Sequence, residues 1–78
     1  MTRDQIAQAI EAKPFEPFTI HMTNGKVFLI KHRDFISLSP TSPIVVVFGE
    51  SGSAHILDTL LISELEVHPQ SKQSENAA

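Results

Sequence analysis

The side chains best suited to chemistry are four histidines, nine carboxylates and a short basic run, in a chain of 78 residues without cysteine. A metal site without thiolates needs several histidine and carboxylate ligands converging on one point. His32 and Asp34 stand at i, i+2, on one face of an extended segment, and would supply two of three ligands. His55 and Asp58 form a looser pair. The spacings H-x-x-x-H and H-E-x-x-H do not occur. No metal and no other cofactor is therefore expected.

Other reaction classes lose their basis in the same way. Gly49-Glu50-Ser51-Gly52-Ser53 resembles a G-x-S-x-G nucleophile elbow only until its fifth residue, which is serine. It also falls between two strand-like runs rather than between strand and helix. There is no G-x-G-x-x-G and no P-loop. With no nucleophile, base and orienting group to draw together, the expectation is a protein without enzymatic activity.

The densest polar cluster is Lys26, Lys31, His32 and Arg33, with His21 nearby in sequence pattern. Read functionally, it is an anion or RNA-phosphate patch. Read structurally, it is a solvated strand end whose charges discourage edge pairing. The chain has no tyrosine or tryptophan for base stacking, and its five phenylalanines are wanted by the core. Net charge is −3, which does not favour a dedicated nucleic-acid binder. The charge is uneven. Residues 1–35 carry Arg3, Lys13, Lys26, Lys31 and Arg33 against Asp4, Glu11, Glu16 and Asp34. Residues 36–78 carry only Lys72 against Glu50, Asp58, Glu64, Glu66 and Glu75. Mildly basic and acidic halves can attract copies of the same chain as readily as a foreign partner.

These residues are positioned by one stretch above all, Phe18 to Lys31. Two apolar-rich runs flank Asn24-Gly25, a strong hairpin signal for a two-residue type I′ turn. That turn pairs Thr23 with Lys26, Met22 with Val27, His21 with Phe28, Ile20 with Leu29 and Phe18 with Lys31. Phe18, Ile20, Met22, Val27 and Leu29 then form the core face. Phe28 and Ile30 fall on the other face and need a cover.

Thr2 to Ala12 reads as a short helix. Thr2 and Gln5 fit a capping box, and Ile6, Ala9 and Ile10 make one narrow apolar stripe. Pro14 stops it. The stripe is too small to hold a helix alone, so it must dock, with Phe28 and Ile30 as the obvious target. KPFEPF then carries Phe15 and Phe18 into the sheet as anchors. A bend at residues 32–34 precedes a short strand holding Ile36 and Leu38. After the loop of residues 39–43 comes Ile44 to Phe48, IVVVF, an unbroken apolar run that suggests burial on both faces. Residues 49–53 are a turn, and 54–57 make a further strand. Asp58 to Leu61 forms a helical turn, and Ile62 to His68 the last strand. Residues 70–78, QSKQSENAA, read as a disordered polar tail behind a domain spanning 1–69.

A capped helix followed by about five short antiparallel strands is a mainly β, α+β layout. It resembles an SH3-like or Sm-like small barrel, or a strongly bent sheet of that kind. The order of elements over residues 2–68 is similar to that of Hfq and other Sm-like proteins. That resemblance implies RNA binding as an alternative function, through Lys26, Lys31, His32 and Arg33. The basic and glutamine positions with which Hfq-like proteins hold RNA have no secure counterparts in this chain. More closely, KPFEPFTIHMTNGKVFLIKH…DFISLS…ILDTLLISELEV resembles a family of short bacterial proteins with a PF-x-PF-x-I-x-(M/L)-x-x-G core. This second resemblance implies no activity.

At this length a chain buries only about 60% of its unfolded surface, and no disulfide can reinforce it. Association is the remaining way to enlarge the core. The IVVVF strand offers Ile44, Val46 and Phe48 to the barrel and leaves Val45 and Val47 as the candidate self-association face. The leading expectation is thus a non-enzymatic interaction module that forms a homo-oligomer through sheet edges, most simply a two-fold dimer. A further protein partner is unspecified. No apolar run approaches the ~20 residues needed to span a bilayer, and MTRDQIAQAIEAK lacks the apolar centre of a signal peptide. The expected setting is cytoplasmic.

Overall fold

The computed structural model describes residues 1–69; the tail expected over 70–78 lies outside the described residues. A helix, α1 (Arg3–Glu11), is followed by six strands. They are β1 (Phe18–Met22), β2 (Val27–Ile30), β3 (Ile36–Leu38), β4 (Ile44–Phe48), β5 (Ala54–Asp58) and β6 (Ile62–Val67). Single-turn 3-10 helices, Arg33–Phe35 and Thr59–Leu61, precede β3 and β6. All pairings are antiparallel, and the strands form two three-stranded sheets ordered β2-β1-β6 and β3-β4-β5. The barrel expectation resolves in favour of two three-stranded sheets that share one core, with no closed ring among the described residues. Each of the six strands falls on a segment that the sequence reads as extended, so the count of about five is one short.

The capping box forms as expected. Thr2 Oγ1 accepts from the Gln5 N–H at 3.3 Å, and Gln5 Oε1 accepts from the Thr2 N–H at 3.0 Å. At the other end Arg33 Nε and Nη2 donate to the carbonyls of Ile10 and Ala12 at 3.0 and 3.3 Å. Those oxygens have no partner within the helix, so a cation from elsewhere in the chain satisfies them. The helix packs against β3 and inserts Ile6 into the core, while Arg3 Nε donates to the Ser39 carbonyl at 2.8 Å.

The first hairpin corrects the sequence reading. Phe18 faces Ile30, Thr19 faces Leu29, Ile20 faces Phe28 and His21 faces Val27, one residue away from the expected register. The cause is the turn. Gly25 N–H donates to the Met22 carbonyl at 3.0 Å, and Met22 N–H to the Lys26 carbonyl at 2.8 Å. Gly25 has φ +90° and Asn24 does not have a positive φ. This is a three-residue loop, Thr23-Asn24-Gly25, in which a type I turn is followed by a glycine bulge. Asn24 accepts from the Lys26 N–H through its side chain at 3.0 Å, which favours that geometry. A slip of one residue exchanges the faces of a strand. Ile30 is therefore fully buried and Phe28 partly buried, whereas Val27 and Leu29 are 57% and 53% exposed.

A second exchange occurs in β4. Val45 and Val47 are 0% and 3% exposed, so they belong to the core and not to a self-association surface. Ile36 opposes Val47 and Leu38 opposes Val45. Ile36 is buried, so its cross-strand partner must point the same way. The side chains of Ile44, Val46 and Phe48 take the outer face. The core is Ile6, Phe18, Ile20, Met22, Ile30, Ile36, Val45, Val47 and Ile62, drawn from the helix and both sheets. Each fully buried branched or aromatic side chain contributes about 1.5–3 kcal/mol. Thr59 is the buried polar residue, and its N–H donates to the Pro43 carbonyl at 2.8 Å. No helix among the described residues is long and apolar enough to cross a membrane.

Candidate interaction surface

The basic residues do not gather into one patch. Lys26 and Lys31 flank opposite ends of β2, roughly 17 Å apart at the rise of an extended strand. Lys31 Nζ donates to Glu50 Oε2 at 2.7 Å. The ammonium holds the Glu50 carboxyl below the usual glutamate range by hydrogen bonding and by charge. Arg33 is occupied at the end of α1. His32 lies beside Phe35, with ring centroids 6.0 Å apart. Asp34 sits inside the 3-10 turn after His32, so the extended geometry that would align the two as ligands is not kept. The other histidines are dispersed as well. His21 Nε2 is 3.0 Å from Glu66 Oε1, His68 Nε2 is 2.9 Å from Thr19 Oγ1, and the His55 ring lies 5.0 Å from that of Phe28. Among the described residues no three His, Asp or Glu side chains converge on a metal-sized site.

What the fold does assemble is an open strand. β5 ends its sheet, joined to β4 on one side with no strand on the other among the described residues. Its first three residues, Ala54, His55 and Ile56, are all exposed, with the His55 ring resting beside Phe28. Ile56 is 73% exposed. Its neighbour across the pair is Val46, and Phe48 opposes Ala54. The outer surface of β4 and β5 thus carries Ile44, Val46, Phe48 and Ile56 together. Leu60 and Leu61, also exposed, follow directly in the 3-10 turn.

Beside the β5 edge lies a groove of about 420 Å³ whose lining includes Met22, Lys26, Phe28 and Leu61. A second groove of about 370 Å³ lies between Leu29, Phe35 and Phe48, rimmed by the Lys31–Glu50 pair. Exposed apolar groups beside an unpaired strand edge are the features by which an extended chain is captured.

Sequence reasoning places Ile56 in a strand without giving it a face. The signal that would have done so is parity. Once Val45 and Val47 point inward, Val46 and its partner Ile56 must point outward. No protein-family model matches the chain, and neither a curated protein nor a solved structure is significantly similar to it.

Proposed function

We propose that the protein is a non-enzymatic interaction module that self-associates through the open edge of β5. One observation carries this reading: a well-formed strand whose Ala54–Ile56 half is exposed and which, among the described residues, has no strand along one edge. An exposed strand edge of this kind is a template for pairing with another chain, which supplies backbone hydrogen bonds and apolar cover. The small core supports the same reading, because a chain of this size has few other means of adding buried surface. The candidate face differs from Val45 and Val47: it consists of Ile56, Val46 and Phe48.

RNA binding has weaker support, since Lys31 and Arg33 already have partners within the chain. Sedimentation equilibrium at tens of micromolar tests the leading reading. The expected result is a species heavier than the 8.6 kDa chain, returned to that mass by Ile56→Lys without loss of the β-sheet circular dichroism signal. A single 8.6 kDa species at all concentrations would refute it. Fluorescence polarisation with short RNAs at two salt concentrations tests the other, because phosphate-mediated binding weakens steeply with salt.

A further inference from the structure

Resting on the self-association reading, we infer that the partner is the β5 strand of a second copy. The two strands run antiparallel about a two-fold axis at Ile56. Hydrogen-bond parity comes first. Gly49 N–H donates to the Ser53 carbonyl and Thr59 N–H to the Pro43 carbonyl, each at 2.8 Å, at the two ends of the β4–β5 ladder. Bonded positions alternate along an antiparallel pair, so His55 and Leu57 also turn their backbone groups toward β4. Ala54, Ile56 and Asp58 therefore turn theirs toward the open edge.

That arrangement is symmetric about Ile56. With Ile56 facing its own copy, Ala54 of one chain faces Asp58 of the other. The N–H and C=O groups of all three residues then find partners. Shifting the two-fold centre along the strand shortens the overlap, so this register is the one that uses the whole of β5. Side chains agree with it. Ile56 meets Ile56 on the outer face, extending the apolar strip begun by Val46. His55 meets Leu57 on the inner face, beside the groove of about 420 Å³ lined by Phe28 and Met22. No two like charges face each other.

The other edges fit less well. In β6, the Pro17 carbonyl accepts from His68 N–H, which fixes Glu64 and Glu66 as bonded to β1 and turns the backbone groups of Leu65 and Val67 toward the open edge. Self-pairing there would set Glu64 or Glu66 against a glutamate of the second copy, and like charges directly opposite are destabilising. The edge of β3 lies against α1, with Ser39 held by Arg3. The edge of β2 faces the β4–β5 hairpin, to which it is tied through Lys31–Glu50 and Phe28–His55.

The test uses the full chain and begins with amide hydrogen exchange by NMR across a dilution series monitored by sedimentation. His55 and Leu57 amides should be protected at every concentration. Ala54, Ile56 and Asp58 amides should slow about tenfold once nine-tenths of the chain is paired, because only the free fraction exchanges. Oxidative cross-linking gives a second readout, in a chain with no cysteine of its own. A mixture of His55→Cys and Leu57→Cys proteins should form a covalent dimer. Those positions lie opposite each other at about 4.5 Å between Cα atoms, within disulfide reach. Either variant alone should cross-link several-fold less, because its thiols lie diagonally at about 7–8 Å. Association without slowed exchange at Ala54, Ile56 and Asp58 would overturn the pairing and leave self-association standing. Joint slowing at β5 and at Leu65 and Val67 would replace it with head-to-tail assembly. A monomer at all concentrations would remove both readings.

Discussion

Ile30→Val and Leu29→Thr, made separately, distinguish the observed hairpin register from the one-residue alternative. Ile30 is fully buried and Leu29 is 53% exposed. Removing one methylene from Ile30 loses about 0.8 kcal/mol of transfer free energy. A residual void of up to about 25 Å³ adds roughly 0.6 kcal/mol at the cavity cost known for cores. The sum, about 1.4 kcal/mol, lies within the usual Ile→Val range of about 0.5–1.5 kcal/mol. For a domain of this size it lowers Tm by about 6–11 °C, at roughly 4–8 °C per kcal/mol. Leu29→Thr places a β-branched side chain on the outer face and should change stability by no more than about 0.5 kcal/mol. With no tryptophan or tyrosine in the chain, thermal and urea melts must be followed by far-ultraviolet circular dichroism. If Leu29→Thr proved the more damaging change, Leu29 would point inward and the three-residue loop would be wrong.

Three further outcomes are expected. Gly25→Val should cost about 1–3 kcal/mol from backbone strain at positive φ, because an added Cβ meets nothing within 4 Å; a urea midpoint equal to the parent's would contradict the bulge. Val45→Lys should unfold the protein rather than dissociate it, since it buries a charge among apolar groups, and a folded monomer by circular dichroism and sedimentation would contradict its inward orientation. Glu50 should titrate by NMR below the usual glutamate value of about 4.3 and rise in Lys31→Met. The stabilisation it contributes is present above the unfolded pKa and is lost as pH falls through the lowered folded one.

Local chemistry was readable in the sequence to the extent that local chemistry decides structure. Thr2 and Gln5 specify the helix start because their side chains can reach the first free N–H groups within one turn. Asp58 specifies the second 3-10 turn for the same reason, accepting from the Leu60 N–H at 2.9 Å. The strands follow from runs of apolar and β-branched residues. The basic cluster misleads because adjacency in sequence is not adjacency in space. Residues 31–33 turn a corner, and Lys31 and Arg33 leave it in different directions, toward Glu50 and the end of α1. Nothing within four residues of either one announces those partners.

The two reversed faces share one physical origin. In VFLI and IVVVF both alternating sets are apolar, so hydrophobicity distributes the side chains into two groups without saying which group is inside. The decision passes to geometry outside the strand. For β2 it is loop length, since three residues in place of two carry Phe28 and Ile30 inward and Val27 and Leu29 outward. For β4 it is the pairing with Ile36. A strand that is apolar on both faces must leave one set at the surface whenever a single chain cannot cover both. That surplus is what the protein presents: Leu29 beside Phe48 on one side of the β4–β5 hairpin, and Val46 with Ile56 on its outer face. The ambiguity that defeats face assignment from sequence therefore leaves apolar side chains of both strands at the surface, and those of β4 stand next to the β5 edge, the surface that the proposed self-association would use.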